Sequence, residues 1–345
     1  MSDPVSLVEI QAAHERIRST VLRSPLVPSP GREGLGNLLL KLDNLQPTGS
    51  FKVRGAGNSL AVAFERGHPP GVYTTSAGNM AQALAWHARR LNVPCTVIVP
   101  ETAPEVKLAG IRRYGAQVIQ LSWERVWDVM TAGIYPPLKD MLYVPPFNSR
   151  EMIAGNGTAG LEIFEDLPSV RTVFVPLGGG GLIAGVASAL RALNPQTELV
   201  ACEVETAAPF AASLRAGALA EVERVPSFVD GIGARNMLPQ MWDRLNGLVT
   251  RSRVLSLASV AAAIRYCFEQ HHIVIEGAAG TAVAAALEAE EGSGPVVALV
   301  SGGNIDVSTF TTILEGKVPP LPGNPRLSPS TARPSDRSNA VEGRK

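Results

Sequence analysis

The chain has 345 residues, 45% of them hydrophobic, enough to bury a substantial core in one large domain or, as the better fit to its length, two modest ones. Its 31 Lys plus Arg balance 31 Asp plus Glu, which removes the electrostatic case for nucleic acid or an acidic membrane surface and leaves a small ligand recognised locally. Cys95, Cys202 and Cys267 follow no metal-binding or disulfide spacing and no uncharged apolar run approaches ~20 residues, so neither zinc, a disulfide framework nor a membrane helix is expected, and a cytoplasmic address follows.

In chain order, residues 11–22 read as an amphipathic helix and 37–42 as a short apolar strand, and Lys52 falls just inside a further helix. A strand at 73–76 leads into a helix at 81–91, where Ala81, Leu84, Ala88 and Leu91 share one face and Asn92 favours a stop. Strands follow at 95–100 and 117–121. Pro145 and Pro146 interrupt regular structure within a seam at 143–148. Beyond it, strands at 172–176, 199–204 and 296–300 alternate with helices at 182–190, 260–270 and 278–290. Strands that are apolar runs, separated by helices, indicate covered parallel sheets in an α/β fold. The expected division is one domain from 1–49 and 145–318, a smaller one from 50–144, and a polar tail at 319–345 with too little apolar content to order.

Three loops end predicted strands, and parallel sheets gather such ends in one crevice. Gly178, Gly179, Gly180 and Gly181 precede a helix, so their amide N–H groups and the helix dipole suit an anionic phosphate. Gly179, Gly181 and Ala184 also satisfy a dinucleotide pattern, with Glu203 placed for a ribose, and a purely structural turn is the third reading. Ser76, Ala77, Gly78 and Asn79 offer N–H groups to a carboxylate and an amide to a hydroxyl, while Ser301 begins a third loop, 301–304. Lys52 at a helix start is directed, and the helix field lowers its basicity, as an amine that condenses with an aldehyde requires.

Together, GSFKVRGA around Lys52, SAGNMAQA from Ser76, PLGGGGLIAG through the glycine loop and SGGN from Ser301 resemble the fold-type II pyridoxal phosphate (PLP) family that includes serine/threonine dehydratases and serine racemases. The resemblance spans Gln11 to about Leu314 and implies two open twisted α/β sheets of the tryptophan synthase β-subunit type. It implies further that Lys52 carries the cofactor and shuttles protons, that Phe51 lies against its ring, and that Asn79 bonds its 3′ oxygen. Gly178 to Gly181 would hold the phosphate, Glu276 would lie on the cofactor side, and Ser301 would face the pyridine nitrogen, where a neutral hydroxyl weakens the electron sink and favours prompt β-elimination. Ser76, Ala77, Gly78, Asn79 and Met80 would form the substrate-carboxylate loop, and relatives are commonly homodimers.

Three departures qualify the resemblance. Met80 stands where these dehydratases have histidine, which alters a pocket wall, and Ala77 replaces the second serine that racemases use as a base, which disfavours racemisation. Glu203 and Ala207 match two positions of a divalent-cation site, but Pro209 replaces the second carboxylate, so no metal is expected. The implied activity is an ammonia-lyase acting on L-threonine, L-serine or a 3-hydroxylated relative. PLP-dependent β- or γ-replacement, a racemase, a non-catalytic PLP-binding module and a NAD-dependent dehydrogenase are the alternatives.

Overall fold

The computed structural model describes residues 4–30, 37–289 and 294–321; the expected tail lies outside these from residue 322 onward. Ser6 starts the first helix. Its hydroxyl accepts the Glu9 backbone N–H while the Glu9 carboxylate takes the Ser6 N–H, a reciprocal cap that makes α1 run Leu7–Ile17, earlier than apolar spacing alone suggested. The chain continues through β1 (Leu26–Ser29), β2 (Leu38–Leu42), α2 (Lys52–Arg66), β3 (Val72–Thr75), α3 (Asn79–Arg90), β4 (Cys95–Pro100), α4 (Glu105–Arg112), β5 (Gln117–Leu121), α5 (Trp123–Ala132) and β6 (Leu142–Tyr143). After the seam come α6 (Arg150–Asp166), β7 (Thr172–Pro176), α7 (Gly181–Leu193), β8 (Glu198–Val204), α8 (Pro209–Ala216), α9 (Pro239–Leu245), β9 (Arg251–Leu255), α10 (Leu257–His271), α11 (Gly277–Leu287), β10 (Val296–Val300) and α12 (Val307–Leu314).

Six strands form one sheet in the order β1-β2-β10-β7-β8-β9, and four form another in the order β5-β4-β3-β6. Every pairing is parallel except β1 with β2, an antiparallel edge that the sequence reading did not contain. The central strands β7 and β10 are buried along their whole length because helices cover both faces. Alternate side chains divide between two layers: Val173, Val175, Val297 and Leu299 enter the core beneath α6 and α7, and Phe174, Ala298 and Val300 the one beneath α10 and α11. In the four-stranded sheet, Val72, Val97 and Val99 pack with Ala81, Leu84 and Ala88 of α3, while Tyr73 and Ile98 face α5. Leu91, expected on that helical face, is 44% exposed beyond the helix end, and Asn92 turns the chain with φ +55°. Among the described residues, no helix is long and apolar enough to cross a membrane, and all three cysteines are buried free thiols.

Candidate active site

Backbone contacts draw the loop after β10 against the segment that precedes α2, and the loops after β3 and β7 join it through Asn79 and Phe147. Ser50 bridges Gly302, the Phe51 N–H donates to the Ser301 carbonyl at 2.9 Å, and the Gly303 N–H donates to the Gly49 carbonyl at 2.9 Å. Gly49 adopts φ +72°, where an added Cβ would stand 2.7 Å from the Asn304 amide oxygen. The TGS segment ahead of Lys52 is thus fastened against the end of β10. Ser301 is buried there, and the hydroxyls of Thr48 and Ser50 are buried with no hydrogen-bond partner.

Lys52 opens α2 and is half-buried. Its Nζ donates to the Pro146 carbonyl at 2.6 Å and lies 5.1 Å from the centroid of the Phe51 ring. Burial lowers its pKa to about 8, while the Glu276 carboxylate pulls the other way. Desolvation is therefore the main cause, where the sequence reading gave that role to the helix N-terminal field.

Phe147, which residue order did not single out, decides the shape of the glycine loop. A Cβ on Gly179 would come within 2.4 Å of its ring, and one on Gly181 within 2.1 Å of its carbonyl oxygen. Gly180 supplies φ +89° as the residue capping α7, with Met241 and Leu245 behind it. Ile232 backs Gly178. Glycines at these positions let residues 146–147, and with them the carbonyl bonded to Lys52, lie against the start of α7. The chemical signal for Phe147 in the sequence was only its place after the Pro145-Pro146 break.

Asn79, at the start of α3, reaches across to the six-stranded half. Its Nδ2 donates to both Glu276 carboxylate oxygens, at 2.9 and 3.0 Å, and its Oδ1 accepts from Asn304 Nδ2 at 2.8 Å. Asn304 also donates to the Thr48 carbonyl at 2.9 Å. It lies in the SGGN segment, yet nothing in residue order singled it out as the bridge. Burial raises the Glu276 pKa to about 7 against the opposing Asn79 hydrogen bonds, with Asp230 adding to the rise. Gly302 is required beside it, since a Cβ would sit 2.6 Å from Glu276 Oε1.

The rest of the proposed carboxylate loop divides. Ser76 Oγ accepts the Gly78 N–H at 3.2 Å, and the space at Gly78 is open, with nothing within 4 Å of an added Cβ. Ala77 packs partly on the small-sheet core, and Met80 is 1% exposed inside it, beside Val53 and Ala56 of α2. The thioether in the histidine position is a core side chain in this chain. Glu203 is equally committed: its two oxygens accept the Phe210 and Ala211 N–H groups, at 2.9 and 2.8 Å, and the Ser252 hydroxyl at 2.6 Å. It caps α8, whose first residue is Pro209, and Ala207 sits in the turn between them.

These residues suit a phosphorylated aldehyde: a half-buried amine of lowered basicity, orphaned hydroxyls in the segment just before it, and a glycine turn opening a thirteen-residue helix. The family model described as pyridoxal-phosphate dependent enzyme matches residues 17–302. The L-threonine ammonia-lyase of Thermotoga maritima is 38% identical over 314 residues, 90% of this chain and 78% of that protein. Among solved structures, maize serine racemase superposes with a TM-score of 0.83 at 30% identity, covering 91% of this chain and 98% of its own. The T.th. threonine deaminase gives 0.79 at 34% identity, covering 87% and 99%. With a match across most of its length and a site whose chemistry fits the cofactor, this chain belongs to the family of pyridoxal-phosphate dependent enzymes.

Proposed function

We propose that the chain is an ammonia-lyase that removes the β-hydroxyl of L-threonine, L-serine or a 3-hydroxylated relative, giving a 2-oxo acid and ammonia. The observation that carries this reading is the half-buried Lys52 amine, of lowered pKa, held between the Phe51 ring and the carbonyl of Pro146, whose neighbour Phe147 packs on the glycine turn. The activities named for the Thermotoga and T.th. relatives support it. Bound PLP supplies an aldehyde for the substrate amine and a sink for the electron pair of the Cα–H bond.

The chain's residues do the rest. Lys52 Nζ holds the cofactor, and when freed takes the proton from Cα. The N–H groups of Gly178, Gly179, Gly180 and Gly181 hold the phosphate, Phe51 lies along the ring, and Ser301 offers a neutral hydroxyl to its nitrogen. Glu276 and Asn79 flank the ring oxygen. Ser76, Ala77, Gly78 and Asn79 hold the substrate carboxylate, with Met80 supporting that loop from the core. The two sheets form a larger unit, 1–49 with 145–318, and a smaller one, 50–144, that closes over the substrate. The buried, unpaired thiols suit a cytoplasmic setting. Exposed apolar side chains at Phe268, Val274 and Val307 suit a homodimer, which sedimentation checks.

The test incubates the PLP-loaded protein with L-threonine, L-serine and threo-3-hydroxyaspartate and follows oxo-acid release. Lys52→Ala is expected to lose at least about 10²-fold in rate. Undiminished turnover by Lys52→Ala, or product from O-phosphohomoserine with none from the hydroxy amino acids, overturns the assignment.

A further inference from the structure

Two residues beyond Lys52 lies a cluster of charge that the reaction itself does not use. Arg54 is fully buried. Its Nε and Nη2 form a fork on Asp43, at 2.7 and 2.8 Å, and its Nη1 and Nη2 form another on Glu162, at 2.7 and 2.9 Å. Thr158 and Ser24 accept from the same guanidinium at 3.0 and 3.3 Å. Lys41, also fully buried, completes the cluster with Nζ 2.7 Å from Glu162 and 2.6 Å from the Ser24 carbonyl. Two cations thus face two anions in the interior. Burial pushes the Asp43 carboxyl up, but the charge and hydrogen bonds of Arg54 outweigh it and hold the group below its usual value.

Clusters of this kind are poor sources of stability, because desolvating four charges offsets most of their mutual attraction. What a double fork does supply is direction: two planar pairs fix the guanidinium in position and angle. Asp43 follows directly on β2, which neighbours β10, and Glu162 lies in α6, which packs on α7 behind the glycine turn. Arg54 therefore joins the first turn of α2 to the strand and the helix that pack directly against the elements carrying Ser301 and the glycine loop.

We propose that Arg54, through Asp43, Glu162 and Lys41, is the positioning residue for Lys52: it locks the lysine's helical turn to the six-stranded half, so that Nζ keeps one place relative to the glycine turn. The inference rests on the reading of Lys52 as the cofactor-bearing lysine. Arg54→Lys retains the charge and loses both forks. In the PLP-loaded protein this variant is expected to lower kcat by about 10²-fold with KM little changed, as a misplacement of about 1 Å does. Borohydride is expected to lock less cofactor onto Lys52, read by mass spectrometry, and the visible band of the bound cofactor to weaken. Leu199→Ala, a cavity in the β8 core, serves as a control of comparable stability loss and is expected to keep both kcat and cofactor locking. If Arg54→Lys does not accumulate folded, Glu162→Gln removes one ionic arm and is read the same way, with a smaller fall in kcat of about tenfold. Unchanged kcat and locking in folded variants with lowered Tm, or equal losses in Leu199→Ala, overturn the proposal. Lys52→Ala separates the underlying reading, which fails only if that variant retains full turnover.

Discussion

Burial moves the proton affinities of Lys52 and Glu276 toward each other, to about 8 and about 7. For Glu276 the folded value lies above the unfolded one, so the native chain binds the extra proton between about pH 4.5 and 7 and its stability falls as pH rises through that window. The gap from 4.5 to about 7 corresponds to roughly 3 kcal/mol as an upper bound. For Lys52 the folded value is depressed, so stability rises again from about pH 8 toward 10.5. The cofactor-free protein is therefore expected to be least stable between about pH 7 and 8, measured by urea unfolding across pH. Glu276→Gln is expected to flatten the acidic limb and leave the basic one. On the proposed role of Lys52 its neutral amine is the nucleophile, so PLP uptake, followed by absorbance, is expected to accelerate between about pH 7 and 9. At this scale the sequence displayed Lys52, the four glycines, Asn79 and Ser301 through their motifs. Phe147, Asn304 and Arg54 were invisible because their roles arise from contacts with partners between 11 and 256 residues away along the chain.

The helix crossings under the site depend on missing side chains. Gly155 of α6 meets α2 so closely that a Cβ would stand 2.5 Å from the Arg54 carbonyl and 2.7 Å from Gly55 Cα. Gly155→Ala is expected to cost about 1–3 kcal/mol by forcing the helices apart, and to lower activity with it because α2 starts at Lys52. Gly110 in α4 is the contrast: an added Cβ there meets Gln82 at 3.6 Å, and Gly110→Ala is expected to stabilise by about 0.5–1 kcal/mol with unchanged turnover. Chemical denaturation of both variants checks the pair. The glycines that make the α6 crossings possible also hid that helix, since Gly155, Gly157 and Gly160 dilute its helical pattern while every residue from Met152 to Ile163 is buried. Strands β4, β5, β7 and β10 were legible to the residue as apolar runs. Three others were not, because β1 contains Pro28 and pairs only at an edge, β6 has two residues, and β9 alternates Arg251 and Arg253 with Ser252 and Val254.

The two sheets meet across the site through few side chains. Asn79 binds Glu276 and Asn304, and farther out Lys107 of α4 pairs with Asp230, which precedes the Gly231–Gly233 turn behind the glycine loop. Lys107 and Asp230 are 30% and 51% exposed, so their pair contributes at most about 1 kcal/mol and weakens with salt. As a latch over the substrate it is expected to raise KM by no more than about fivefold when either partner is neutralised, and about 0.5 M salt is expected to reproduce that effect in the unaltered protein. A second measurement distinguishes a latch from an electrostatic influence on the site. Asp230 raises the Glu276 pKa and Lys107 lowers it, so Asp230→Asn is expected to move the acidic limb of the stability profile down in pH and Lys107→Gln to move it up. If the two variants shift KM in the same direction while shifting that limb in opposite directions, the ion pair acts by holding the halves together; if KM follows the limb, Glu276 is the intermediary and the latch plays no part.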